Sequence, residues 1–92
     1  MDKEALKKKL QEEGFPIVYE WHDEPGFMYD EHEHQDKVAF YVTAGGLTFD
    51  FGGEKKTLPA GDRFDVPPKT RHSAIVGPEG CDYVVGQMNE QD

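Results

Sequence analysis

The sequence is poor in the features that announce most common activities. It holds a single cysteine, Cys81, so no disulfide forms within the chain. No run approaches the ~18 apolar residues that a membrane-crossing helix needs, and no basic segment leading into an apolar stretch opens the sequence. The cytoplasm is the expected compartment. Positive charge is scarce: 10 Lys and Arg stand against 19 Asp and Glu, for a formal net charge of -9. That balance repels phosphate backbones and anionic lipid, so neither nucleic acid nor membrane is an expected partner. There is no serine or cysteine nucleophile motif, no phosphate loop and no basic aromatic patch. Solenoid repeats and low-complexity linkers are absent too.

What remains is a 92-residue chain, a length that suits one domain with a modest core. Hydrophobic residues make up only 36%, but aromatics reach 12%, a mix that favours a small β architecture over a disordered tail. The segment DKEALKKKLQEEGF predicts one short helix, with residues 1–14 docked on a single domain formed by 15–92. Asp2 and Glu4 complement the helix dipole, and Gly14 supplies a left-handed stop. Leu6 and Leu10 form a narrow apolar stripe, and Glu4 with Lys8 is a supportive pair. Such a short helix is marginal alone and must pack on something; two leucines are too narrow a face for a membrane surface.

From Phe15 onward, short β-rich runs alternate with turn residues: IVYEW, FMYDEH, KVAFYVT, LTFDF, RFDVP, HSAIV and DYVVGQM, broken at DEPG, AGG, FGGEK, LPAGD, VPPKT and VGPEGC. LTFDFGGEKKTL reads as a hairpin turning at Gly52-Gly53. Many short antiparallel strands with one helix imply a sandwich or closed barrel.

His32 and His34 stand one residue apart in YDEHEHQDK. Residues i and i+2 of a strand face the same side, about 6.5–7 Å apart, and can aim two imidazoles at one cation. The same pattern also suits an ordinary solvated acidic segment, and two donors do not make a site. His72, opening another predicted strand, is the third candidate. His22 has no such company and reads as a surface or loop histidine.

Two longer patterns connect these histidines. One reads Gly26, FMYDE, His32-Glu33-His34 and later Gly45; the other reads Gly61, DRFDV, Pro67-Pro68-Lys69, two residues, then His72. Together they resemble the paired motifs of the cupin superfamily, small double-sheet β-barrels. The resemblance implies an all-β double-stranded β-helix (jelly roll) with one N-terminal helix. It implies a divalent transition metal held by His32, His34 and His72, acting on or binding a small organic molecule, in a homodimer. Three departures stand out. Val38 occupies the family's metal-binding glutamate position, Lys69 the motif glycine, and Val76 the motif asparagine.

Strand alternation puts Val38, Phe40 and Val42 inside, with Ala39, Tyr41 and Thr43 outside. Val38, Phe40, Phe49, Phe64 and Val76 are the candidate pocket walls, although the same residues would serve equally as plain core. Imidazole ligation suits Fe, Ni, Cu, Zn and Co, with Mn also admitted, so the ligands alone do not choose the metal. A possible fourth ligand is Asp36, ahead of Gln35, Asp30 and Glu33. The acidic neighbours are expected to stabilise protonated His32 and His34, so metal loading should rise with pH through the imidazole range. Arg63 and Arg71 read as solvated surface groups. Tyr29, Tyr41 and Tyr83 either donate to a bound oxyanion or sit at the surface, and Cys81 reads as a quiet structural thiol. The competing function is a non-catalytic ligand-binding or dimerisation module with a vestigial metal site.

Overall fold

A computed structural model describes residues 2–90. Helix α1 (Lys3–Glu12) starts where the Asp2 carboxylate accepts the Ala5 N–H at 3.2 Å, and Gly14 ends it at φ +102°. Glu4 pairs with Lys7 at 2.8 Å rather than with Lys8, and Lys7 also reaches Glu20 on the first strand at 2.7 Å. The pair therefore ties the helix to the sheet as well as stabilising the helix.

Six strands follow: β1 (Ile17–Asp23), β2 (Met28–His32), β3 (Val38–Asp50), β4 (Lys55–Pro59), β5 (Arg63–Val66) and β6 (His72–Gln87). Every pairing is antiparallel. The architecture is an all-β jelly roll. The hairpin joining β3 to β4 turns at Gly52-Gly53 as expected, with the Phe51 N–H bonded to the Glu54 carbonyl at 2.8 Å.

Two expected breaks did not end a strand. AGG lies inside β3 and VGPEGC inside β6, so four predicted runs become two long strands. Bulges bend them instead, between Val42 and Ala44 and between Gly45 and Leu47. At the bend, Gly45 (φ +73°) approaches Gly80 so closely that a Cβ there would lie 2.0 Å from the Gly80 carbonyl oxygen. Only glycine fits. The bend lets β3 and β6 serve two layers: their 38–45 and 81–87 halves pair with β5 and β1, and their 46–50 and 72–76 halves pair with β4 and β2.

The core splits accordingly. Val38, Val42, Leu47, Phe49, Leu58, Val66, Val76 and Val85 fill the interior. Ala39 and Tyr41 do face outward as alternation predicts, but they are buried beneath α1 with Leu10, Phe15 and Val84. Burying one such Leu or Phe side chain is worth about 1.5–3 kcal/mol, which is how a ten-residue helix is held. Arg63 is not a solvated group. Its guanidinium forks onto Glu13 at 2.7 and 2.8 Å, bonds Asp65, and donates to the Tyr41 hydroxyl at 2.8 Å, clamping the helix end to β5. Among the described residues, no helix is long and apolar enough to cross a membrane.

Candidate metal centre

The ladder between β2 and β6 sets His32 directly opposite His72. His34 lies two residues beyond the end of β2, so its position does not come from regular strand alternation. A loop contact holds it instead: the His34 carbonyl accepts the Lys69 N–H at 2.8 Å. Lys69 adopts φ +56°, and among the described residues it is the one non-glycine in the left-handed region. The motif glycine it replaces is thus explained, because this turn needs a positive φ whichever residue occupies it.

The three rings converge, with centroids 4.4 Å (His32–His72), 5.0 Å (His32–His34) and 5.4 Å (His34–His72) apart. One donor nitrogen from each lies within 4.8 Å of the others. Nitrogens bound to one ion at about 2.0–2.1 Å sit roughly 3–4 Å apart, so closure needs only small inward shifts. The tautomers fit as well. His32 Nδ1 lies 2.7 Å from the Asp30 carbonyl, and His72 Nδ1 lies 2.8 Å from the Thr70 carbonyl. A carbonyl only accepts, so both Nδ1 atoms carry the proton and both Nε2 atoms keep a free lone pair. Outer contacts of this kind orient metal-binding histidines. Burial pushes the pKa of His72 down, as does His32 beside it, while the Thr70 carbonyl pulls the other way. The neutral, metal-binding form is favoured.

Asp36 does not join this group. It is exposed, and its carboxylate accepts a hydrogen bond from Asn89 Nδ2 at 3.0 Å. Nor is the acidic surrounding uncompensated: Arg71 pairs with Glu31 at 2.9 Å and approaches Glu33 at 3.8 Å.

The histidines open onto a cavity of about 400 Å³ whose walls include Phe40 and Phe49. The other three candidate wall residues lie outside that lining. Val38 and Val76 are fully packed core residues, and Phe64 packs at an angle against Phe49 and edge-on against Phe51. The glutamate position is therefore filled by buried apolar side chain. Facing Val38 on β6 is Gln87, an amide at the cavity wall that the sequence reading missed. Its signal was available: Tyr83, Val85 and Gln87 alternate on one strand face.

Asp23 was missed too. This buried carboxylate accepts from Tyr29 Oη at 2.7 and 2.8 Å, from Trp21 Nε1 at 3.1 Å, and from Tyr83 Oη. Burial first, then Asp23, drives the Tyr83 pKa far upward; burial also raises that of Tyr29. Tyr41 belongs to the opposite face. His22 is an exposed residue of β1 whose pKa is raised by Asp82, 2.5 Å away. Cys81 is buried, and burial pushes its thiol up to about 12, which leaves it unreactive.

The cupin-domain family model matches residues 19–85. This chain is a cupin. Among solved structures it is similar to a cupin-2 domain containing protein from Shewanella frigidimarina, with 26% identity, TM-score 0.65, and coverage of 74% of this chain and 65% of that one. An RmlC-like cupin from the same organism gives 29% and 0.66, covering 75% and 61%. An uncharacterized conserved protein with a double-stranded β-helix domain from Klebsiella pneumoniae gives 29% and 0.66, covering 79% and 68%. The cupin chain spans just under two thirds of the two Shewanella proteins. No curated protein matches it.

Proposed function

We propose that this cupin holds a divalent transition metal on His32, His34 and His72 and uses the adjoining cavity to bind or transform a small organic molecule. The observation that carries this reading is the paired Nδ1–H donation to the Asp30 and Thr70 carbonyls, which leaves Nε2 of His32 and His72 as the ligating atoms. A bound metal would supply Lewis acidity and open coordination positions, and the imidazole set suits Fe, Ni, Zn, Mn, Co or Cu. The chain's own residues do the rest. Phe49 and Phe51, each 5.7 Å from the His72 ring, keep water from its inner side, and the backbone carbonyls fix the rings. With Val38 in the glutamate position, three neutral imidazoles leave the full ionic charge for an anionic guest.

The test is metal analysis of protein purified without a nickel column. Wild type should carry near-stoichiometric metal, and His72→Ala at least about tenfold less, in line with loss of one of three ligands. Equal metal in both defeats the reading. Val38 favours a second reading, a non-catalytic ligand-binding module. Oxygen uptake by iron-loaded protein against thiols, diketones and phenolic acids separates the two. Turnover supports an enzyme, whereas thermal stabilisation without turnover supports the module. A homodimer is part of the proposal; Met28 and Ile75, cross-strand partners 68% and 45% exposed, are the apolar pair it would cover. Light scattering of wild type and Met28→Glu checks it.

A further inference from the structure

The cavity has a second polar end whose hydrogen-bonding capacity is one-sided. Asp23 is 6% exposed and lies behind the lining, yet three lining side chains direct their protons to it. Trp21 donates its Nε1–H, and Tyr29 and Tyr83 donate their hydroxyls. An indole has one donor and no acceptor; a phenol has one donor and two lone pairs. With all three protons committed to Asp23, the phenol oxygens retain only acceptor capacity. The two oxygens are also within hydrogen-bond reach of each other at 3.2 Å, but the Asp23 oxygens are the nearer acceptors for both protons, so each phenol keeps lone-pair capacity for an incoming donor. A carboxylate arriving here meets acceptors alone, beside a buried carboxylate, which is costly.

The histidine end is opposite in kind, since a metal there draws an oxyanion or chelating oxygen. The Tyr29 and His32 ring centroids lie 6.4 Å apart, so a ligand touching both ends spans only a few bonds. We infer that the cavity selects a short two-ended molecule, with an oxyanion or chelating oxygen at the histidines and a hydroxyl or protonated amine at Tyr29 and Tyr83. The histidine half of this statement rests on the function proposed above. The donor half rests on Asp23 and its three bonds. Tyr29 and Tyr83 are then specificity-determining residues, and Asp23 positions them.

Calorimetric titration of the full chain, metal-free and zinc-loaded, tests it with four probes that differ only at the end remote from a carboxylate. These are 4-hydroxybutanoate, 4-aminobutanoate, butanoate and succinate. The hydroxyl and amine probes should bind roughly tenfold tighter than butanoate, the effect of one hydrogen bond to an otherwise satisfied pole, with succinate weakest. Tyr29→Phe removes an acceptor and should cut that preference by about threefold or more. Asp23→Asn gives the pole an amide donor, freeing a phenol proton for the cavity, so succinate should gain on the other probes. If Asp23→Asn does not fold, Tyr29→Phe, at a half-buried site, still decides. Equal affinities, a preference for succinate, or no binding by any probe overturns the inference. Zinc binding without donor preference would sink this inference alone, whereas donor preference in protein that binds no zinc would sink the metal reading and the histidine half with it, leaving the donor-selective pole at Tyr29 and Tyr83.

Discussion

The two faces of the ladder that β3 and β6 form in their 38–45 and 81–87 halves meet different surroundings. On the outer face, Leu10, Ala39 and Val84 are fully excluded from solvent, and the charged contacts of Arg63 with Glu13 and Asp65 stay at the rim. The inner face belongs to the layer that holds His72, Asp23 and Gln87, the buried polar residues among those described, at 1%, 6% and 8% exposure. Each buried polar group costs free energy unless it is bonded. One face is therefore built for adhesion, while the other accepts that cost to bury polar groups beside the cavity.

The sharpest break of this contrast is Leu10→Ala. It should cost about 2–5 kcal/mol of stability in denaturant titration while leaving zinc affinity of the folded protein unchanged. A parallel loss of zinc affinity would show that the faces are coupled. Next in size is pH. The native His72 takes a proton less readily than the unfolded chain, so metal-free stability should fall as pH drops through the ordinary imidazole range of ~6.5. Cys81 works the other way. Its thiol titrates near 12 when folded but around 8.5 when unfolded, so stability should decline above pH ~8.5 by roughly 1 kcal/mol per unit. Cys81→Ala should flatten that alkaline decline between about pH 8.5 and 10, below the range where tyrosines ionise. An unchanged slope would remove Cys81 from the account. The smallest expected effect is Lys69→Gly, which relieves a left-handed side chain and should stabilise by about 1 kcal/mol or less. Its zinc affinity should match wild type, since the bond from position 69 to the His34 carbonyl is made by backbone.

The histidine triad was legible because motif spacing is a covalent property, and it predicted which three residues meet. Why His34 meets the others was not legible, since it depends on a turn 35 residues away in the chain. Ala39 and Tyr41 faced the predicted side, but only the docked helix reveals that this side is closed. Arg63 looked solvated because Glu13, its partner, is remote in sequence and adjacent only in the fold. Asp36 resembled a ligand by proximity along the chain, and Asp23 resembled nothing until Tyr29 and Tyr83 surrounded it.

By itself, then, the amino-acid order determined the helix, the β period, the hairpin at Gly52-Gly53 and the three imidazoles, all of which follow from local sterics or fixed spacing. Tertiary structure alone decided that AGG and VGPEGC bend strands instead of ending them, that Val38 is packed into the core and not into the cavity wall, and that Asp23 gathers the Trp21, Tyr29 and Tyr83 donors. Those outcomes depend on which distant groups come within a few ångströms, and hydrogen bonding and burial act only across such distances.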